Sequence, residues 1–122
     1  MKTVLVVEDD PDMRDLERAV LEFGGYSVTL ARNGVEALRH LEQTLPDVII
    51  LDLMMPVMDG LTFLAERSRR GLAASIPVLC VSAAGREMTA HALRLGANEC
   101  ISKPTDMDTL CERVLHYSTR RH

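Results

Sequence analysis

Apolar residues recur along the chain with two different periods. Thr3–Val7, Val48–Leu51 and Val78–Val81 are continuous aliphatic runs, and such runs without alternation predict strands buried on both faces. Tyr26, Val28 and Leu30 instead alternate with Ser27 and Thr29, which predicts a half-exposed strand at a sheet edge. Cys100-Ile101 is a short, weak run that suits the other edge. Helical spacing fills the intervals: Met13, Leu16, Ala19 and Val20; Val35, Leu38 and Leu41; Leu61, Leu64 and Ala65; Met88, Ala92 and Leu95. The last stripe, Met107, Leu110, Cys111 and Val114, falls at i, i+3, i+4 and i+7.

Punctuation agrees with these periods. Asp10-Pro11 reads as an N-cap followed by proline at the first helical position, and Gly24-Gly25 as that helix's stop. Asn33 and Glu36 form a capping pair for the second helix, and Thr105-x-x-Asp108 is expected to cap the fifth. Gly71 and Gly96 close the third and fourth. Arg67, Arg69 and Arg70 gather at the end of the third helix, where they complement its dipole.

Strands alternating with helices throughout predict an α/β fold with a parallel sheet covered on both faces. The three continuous runs belong at its centre. This gives a flavodoxin-like, doubly wound sheet of five strands in the order 2-1-3-4-5 with five helices. The ligand site of that order lies at the carboxyl ends of the first and third strands.

At 122 residues, one domain spanning 1–122 is expected. A hydrophobic fraction of 47% with 26% charged residues is that of a soluble globular protein. A net charge of −4 argues against a nucleic-acid surface. No run approaches the length of a membrane span. Met1 leads directly into a strand-like run, so no signal peptide is expected. Cys80, Cys100 and Cys111 have no CxxC spacing and sit in apolar contexts, which predicts buried reduced thiols and a cytoplasmic setting. His40, His91, His116 and His122 are too scattered to suggest a metal site.

The candidate chemistry lies where strands end. The first strand runs into Glu8 and Asp9, the third into Asp52, the fourth into Ser82 and the fifth into Lys103. Singly these are solvated acids, a turn serine and a surface lysine. On one rim, three carboxylates form a hard-oxygen site suited to Mg²⁺, and a hydroxyl with an ammonium suits an anion arriving with the metal.

Four motifs carry a family resemblance: Val6-Val7-Glu8-Asp9, Leu51 through Gly60 (LDLMMPVMDG), Val81-Ser82-Ala83 and Ser102-Lys103-Pro104. In this order the chain closely resembles the receiver domain of two-component response regulators along essentially its whole length. The resemblance implies that Asp52 accepts a phosphoryl group from a sensor histidine kinase or a histidine phosphotransfer protein. It implies Mg²⁺ held by Glu8, Asp9, Asp52 and the Met54 backbone carbonyl. Ser82 and Lys103 would contact phosphoryl oxygens, with a cis Lys103-Pro104 bond fixing the lysine. The domain would then be a slowly self-dephosphorylating switch and not a turnover enzyme. Output would pass through the fourth helix, fifth strand and fifth helix to an unidentified partner or domain, with a phosphorylation-dependent dimer a further expectation. Arg86, Glu87, His91, Arg94, Glu99, Glu112 and Arg113 are expected to be exposed there.

Two departures bear on timing and readout. Met54 and Ala84 occupy positions that tune phosphate loss in the family, and neither can hydrogen-bond a hydrolytic water, so slow loss is expected. Cys100 stands where the family usually has an aromatic switch residue, three before the lysine, so output through Ser82, Ala83 and Ala84 is the alternative route. A redox role for Cys100 lacks a neighbour that would lower its pKa.

Rival readings meet specific obstacles. A haloacid-dehalogenase-type hydrolase needs an acid two residues after its nucleophile, where this chain has Met54. A flavodoxin-like cofactor binder would meet Glu8-Asp9-Asp10 where it needs a phosphate loop. A pseudo-receiver, binding partners without phosphorylation, is the remaining alternative. Two contexts are open, a stand-alone regulator acting by protein contact and a receiver from a longer DNA-binding regulator or hybrid kinase, for which the tail Arg120-Arg121-His122 offers the start of a linker.

Overall fold

The computed structural model describes residues 1–119; the Arg120-Arg121-His122 tail lies outside them. In chain order the elements are β1 (Thr3–Val7), α1 (Pro11–Phe23), β2 (Ser27–Ala31), α2 (Gly34–Gln43) and β3 (Val48–Leu51). They continue as α3 (Gly60–Arg70), β4 (Val78–Ser82), α4 (Arg86–Arg94), β5 (Glu99–Ser102) and α5 (Met107–Ser118). All strands are parallel, in the order β2-β1-β3-β4-β5. The continuous apolar runs are the three central strands, buried throughout apart from Thr3, and the alternating run is an edge.

Strand alternation sorts the core into two layers. Leu5, Val7, Ile49, Leu51 and Cys80 face α2, α3 and α4, where Ala37, Leu38, Leu41, Phe63, Leu64 and Ala92 complete the packing. Val4, Val6, Val48, Ile50, Leu79 and Val81 face α1 and α5, meeting Leu21, Leu110, Val114 and Tyr117.

Helix phase departs from expectation in two places. In α1, Leu16 and Ala19 are exposed and the buried residues are Glu17 and Leu21. In α3, Ala65 is exposed while Phe63 and Arg67 are buried beside Leu64. Helical periodicity alone leaves the rotation about the axis open, and packing against the sheet selects it.

Arg67 is therefore no dipole partner in solvent. Its Nη1 donates to the carbonyls of Ala73 and Ile76 at 3.4 and 3.2 Å, tying down the turn before β4. Burial lowers its pKa. Arg69 and Arg70 do remain near the surface, paired with Glu66 and Glu42. Gly71 ends α3 in the left-handed region at φ 65°, where a side chain is strained.

The α5 cap is also corrected. Asp106, not the Thr105/Asp108 pair, is the N-cap, its carboxylate accepting from the Thr109 N–H at 2.7 Å. Asp10, Asn33 and Asp59 cap α1, α2 and α3 in the same way. Of the cysteines only Cys80 is fully buried; Cys100 and Cys111 are half-buried, because β5 is an edge and α5 carries Cys111 at its margin.

Candidate functional site

The sheet ladders continue one residue past β1, β3 and β5. Glu8 N–H donates to Ala31 O, Asp52 N–H to Val7 O and Lys103 N–H to Ser82 O, each at 3.0 Å. Rigid backbone thus carries these three side chains to one rim. Two-residue periodicity directs Glu8, Asp52 and Lys103 to the α1/α5 side, following Val6, Ile50 and Ile101.

Asp52 is the hub, only 7% exposed. Its Oδ1 accepts from Ser82 Oγ at 2.9 Å and from the Met54 N–H at 3.0 Å. Its Oδ2 lies 3.2 Å from Lys103 Nζ, which is also 2.6 Å from Glu8 Oε1. One oxygen from each of Glu8, Asp9 and Asp52 lies within 4.8 Å of the others. Three converging hard oxygens fit a small divalent cation such as Mg²⁺. All five residues expected from sequence are therefore brought together, and Lys103-Pro104 is cis.

The electrostatics follow from burial and crowding. Burial pushes the Glu8 carboxyl up to about 7; the Lys103 hydrogen bond opposes this and the Asp52 charge adds to it. Burial alone would lower the Lys103 ammonium, but Glu8 and Asp52 outweigh it and hold the lysine above its usual range.

Two contributors were not read from the sequence. Arg14 donates from Nη1 to the carbonyls of Glu8 and Asp9 at 3.1 and 3.3 Å, clamping the acidic turn from α1. Glu17 is buried in the same helix, and burial pushes it up to about 7, with the Glu8 charge adding. A stripe Met13–Glu17–Leu21 at i, i+4, i+8 was the available signal, masked by the polar residue within it.

The readout positions differ in setting. Met54 is 56% exposed beside the site, Ala83 is exposed, and Ala84 packs against the α2–α4 layer. Cys100 pairs in register with Cys80, and its Sγ faces Thr89 O at 3.7 Å. Burial pushes the Cys100 thiol up, away from reactivity. On the α4–β5–α5 surface Arg86, Glu87, His91, Arg94 and Glu112 are exposed as expected. Glu99 and Arg113 are instead half-buried and joined at 2.6 Å, with Tyr117 Oη donating to Glu99 at 2.8 Å. Beside Lys103 an open, mainly apolar groove runs between Met13, Leu16, Pro104 and Met107.

A family model described as "Response regulator receiver domain" matches residues 4–115. The chain belongs to the response regulator receiver family. This receiver domain is 40% identical over 115 residues to an uncharacterized 14.6 kDa protein from Leptolyngbya boryana, covering 93% of this chain and 88% of that one. It is 39% identical to the response regulator MprA of Mycobacterium tuberculosis over 91% of this chain but only 48% of MprA. It thus spans about half the length of that relative. Among solved structures, the Francisella response regulator 1452 receiver domain superposes with a TM-score of 0.90 at 30% identity over 98% of both chains. Chemotaxis response regulator CheY4 of Vibrio cholerae does so with 0.88 at 30% identity, over 96% of this chain and 98% of that one. Among the described residues no helix is long and apolar enough to cross a membrane.

Proposed function

We propose that Asp52 is the phosphoacceptor of this receiver domain. The observation that carries the reading is the convergence of Ser82 Oγ and Lys103 Nζ on the two Asp52 oxygens, with Glu8 and Asp9 alongside. A phosphohistidine of a sensor kinase or phosphotransfer protein is the donor. An Asp52 oxygen forms the new O–P bond as the N–P bond breaks, and the electron pair stays on the donor imidazole.

Glu8, Asp9, Asp52 and the Met54 carbonyl would hold Mg²⁺, which would supply charge to offset the transferring oxygens. Lys103 and Ser82 then turn from the free carboxylate to the phosphoryl oxygens. That turn moves the loop Ser82–Ala84 and, through it, the surface of α4, β5 and α5, which meets the output partner or a second copy. The product is an acyl phosphate, so the domain acts once per signal and then resets. We place it in the cytoplasm, where phosphohistidine donors act. A pseudo-receiver role is the weaker reading, since all five site residues are present and in contact range.

Intact mass after incubation with Mg²⁺ and a small acyl-phosphate donor tests this. A phosphoryl adduct on the wild type, lost without Mg²⁺ and absent in Asp52→Asn, is expected. No adduct under any condition would transfer the reading to the pseudo-receiver.

A further inference from the structure

Helix α1 buries two residues against the sheet, Leu21 and Glu17. Leu21 joins the apolar layer formed with α5. Glu17 is a carboxyl in a hydrophobic position, 1% exposed, and its Oε1 has no hydrogen-bond partner among the described residues. A polar atom buried in this way is costly unless a partner reaches it.

Three charged groups at strand ends act on it through their charges, Glu8 after β1, Asp52 after β3 and Lys103 after β5, and strand alternation directs all three to the α1/α5 side on which Glu17 is buried. The buried α5 residues of the layer are Leu110, Val114 and Tyr117, and the Tyr117 hydroxyl donates to Glu99. Of the three charged groups, only Lys103 can donate. Its ammonium is engaged by Glu8 Oε1 and Asp52 Oδ2, residues that the proposed function commits to a divalent cation. A cation among those oxygens repels the ammonium, so Lys103 must leave at least the shorter contact. Its side chain is 20% exposed, so the exits are outward to water or inward to Glu17.

We propose that Glu17 is a positioning residue for Lys103: its unpartnered carboxyl oxygen receives the ammonium when a divalent cation takes over Glu8 and Asp52. This keeps the lysine beside the acceptor and ready for the incoming phosphoryl group. Burial pushes Glu17 up to about 7, so near neutral pH its protonated and ionised forms are comparably populated, and the ammonium selects the ionised form as the proton passes to solvent. The inference rests on the metal-dependent reading of the site.

The test uses the full chain and Mg²⁺ alone, without a phosphoryl donor. The sequence holds a single other lysine, Lys2, so the Lys103 side-chain resonance is readily assigned by NMR. In the wild type, Mg²⁺ is expected to shift that resonance while leaving it protected from solvent exchange. In Glu17→Leu, Mg²⁺ should send it to a solvent-exposed signal like that of Lys2, and Mg²⁺ affinity should fall roughly three- to tenfold. Glu17→Gln, which can accept a hydrogen bond but carries no charge, should lie between and serves if the leucine variant folds poorly. A merely structural Glu17 would alter the unfolding midpoint and leave both readouts at wild-type values, which overturns the proposal. Failure of the wild type itself to bind Mg²⁺ would overturn the metal reading and this inference together, whereas unchanged binding in both variants overturns this inference alone.

Discussion

The Lys103 ammonium lies 2.6 Å from Glu8 Oε1, although 95 residues separate the two along the chain. With its second contact to Asp52, the lysine ties the ends of β1 and β3 to the loop after β5. Without it, Glu8 and Asp52 would face each other as buried, unbalanced acids. Lys103→Met is therefore expected to lower stability by about 3 kcal/mol in metal-free buffer. Urea unfolding with a chelator present measures this. An unchanged midpoint would mean that desolvation of the lysine already cancels the attraction.

Glu17 makes stability depend on pH in a defined direction. Its folded pKa of about 7 lies above the ordinary 4.5, so between these values the unfolded chain ionises while the folded chain keeps its proton. Stability falls as pH rises through that window, and the contribution present below the lower value is gone above the upper one. The span corresponds to ~3 kcal/mol. Because Glu8 shifts in the same direction, the quantity to measure is the difference between wild type and Glu17→Leu. That variant should gain relative stability steadily from pH 4.5 to pH 7.5; parallel curves would refute the assignment.

Gly60 packs directly behind the acceptor. A Cβ there would lie 2.7 Å from the Asp52 carbonyl oxygen and 2.7 Å from Leu53 Cα, both backbone atoms. Gly60→Ala should cost about 2 kcal/mol and slow phosphorylation, because Asp52 must shift to make room. Gly34 is the control: its Cβ would meet the Met58 side chain at 2.6 Å, and a flexible thioether can move. Gly34→Ala should therefore be milder in unfolding and wild-type in phosphorylation. Equal effects of the two variants would count against the tight seat of α3 on β3.

The lifetime of the phosphorylated form tests the surroundings of Asp52. Met54 is exposed beside the site and Ala84 packs inward, so neither side chain can orient an attacking water. Decay over many minutes is expected, with Met54→Asn shortening it. Phosphoprotein mass followed over time decides this, and a wild-type half-life of seconds would rule the idea out.

The strands and the residues on the rim were legible along the chain, and the apolar or alternating character of each strand suggested whether it lies at the centre or the edge. Those features are local: a strand buried on both faces must be apolar throughout, and each such run ends on the residue that leaves the core. Glu8, Asp52 and Lys103 are legible because the ladder carries them one step beyond β1, β3 and β5. How α1 and α3 are turned was settled by their packing against the sheet. The stripe Met13, Leu16, Ala19 and Val20 and the buried pair Glu17 and Leu21 are two phases of one amphipathic pattern, and the sheet chose the second. The same holds for Arg67, whose guanidinium is drawn inward by two loop carbonyls that no spacing rule brings near it. Arg14 on the carbonyls of Glu8 and Asp9, and Lys103 on Glu8, are likewise consequences of three-dimensional closure. Periodicity reports which positions can be buried; only the partner surface determines which of them are, and what each polar group finds there.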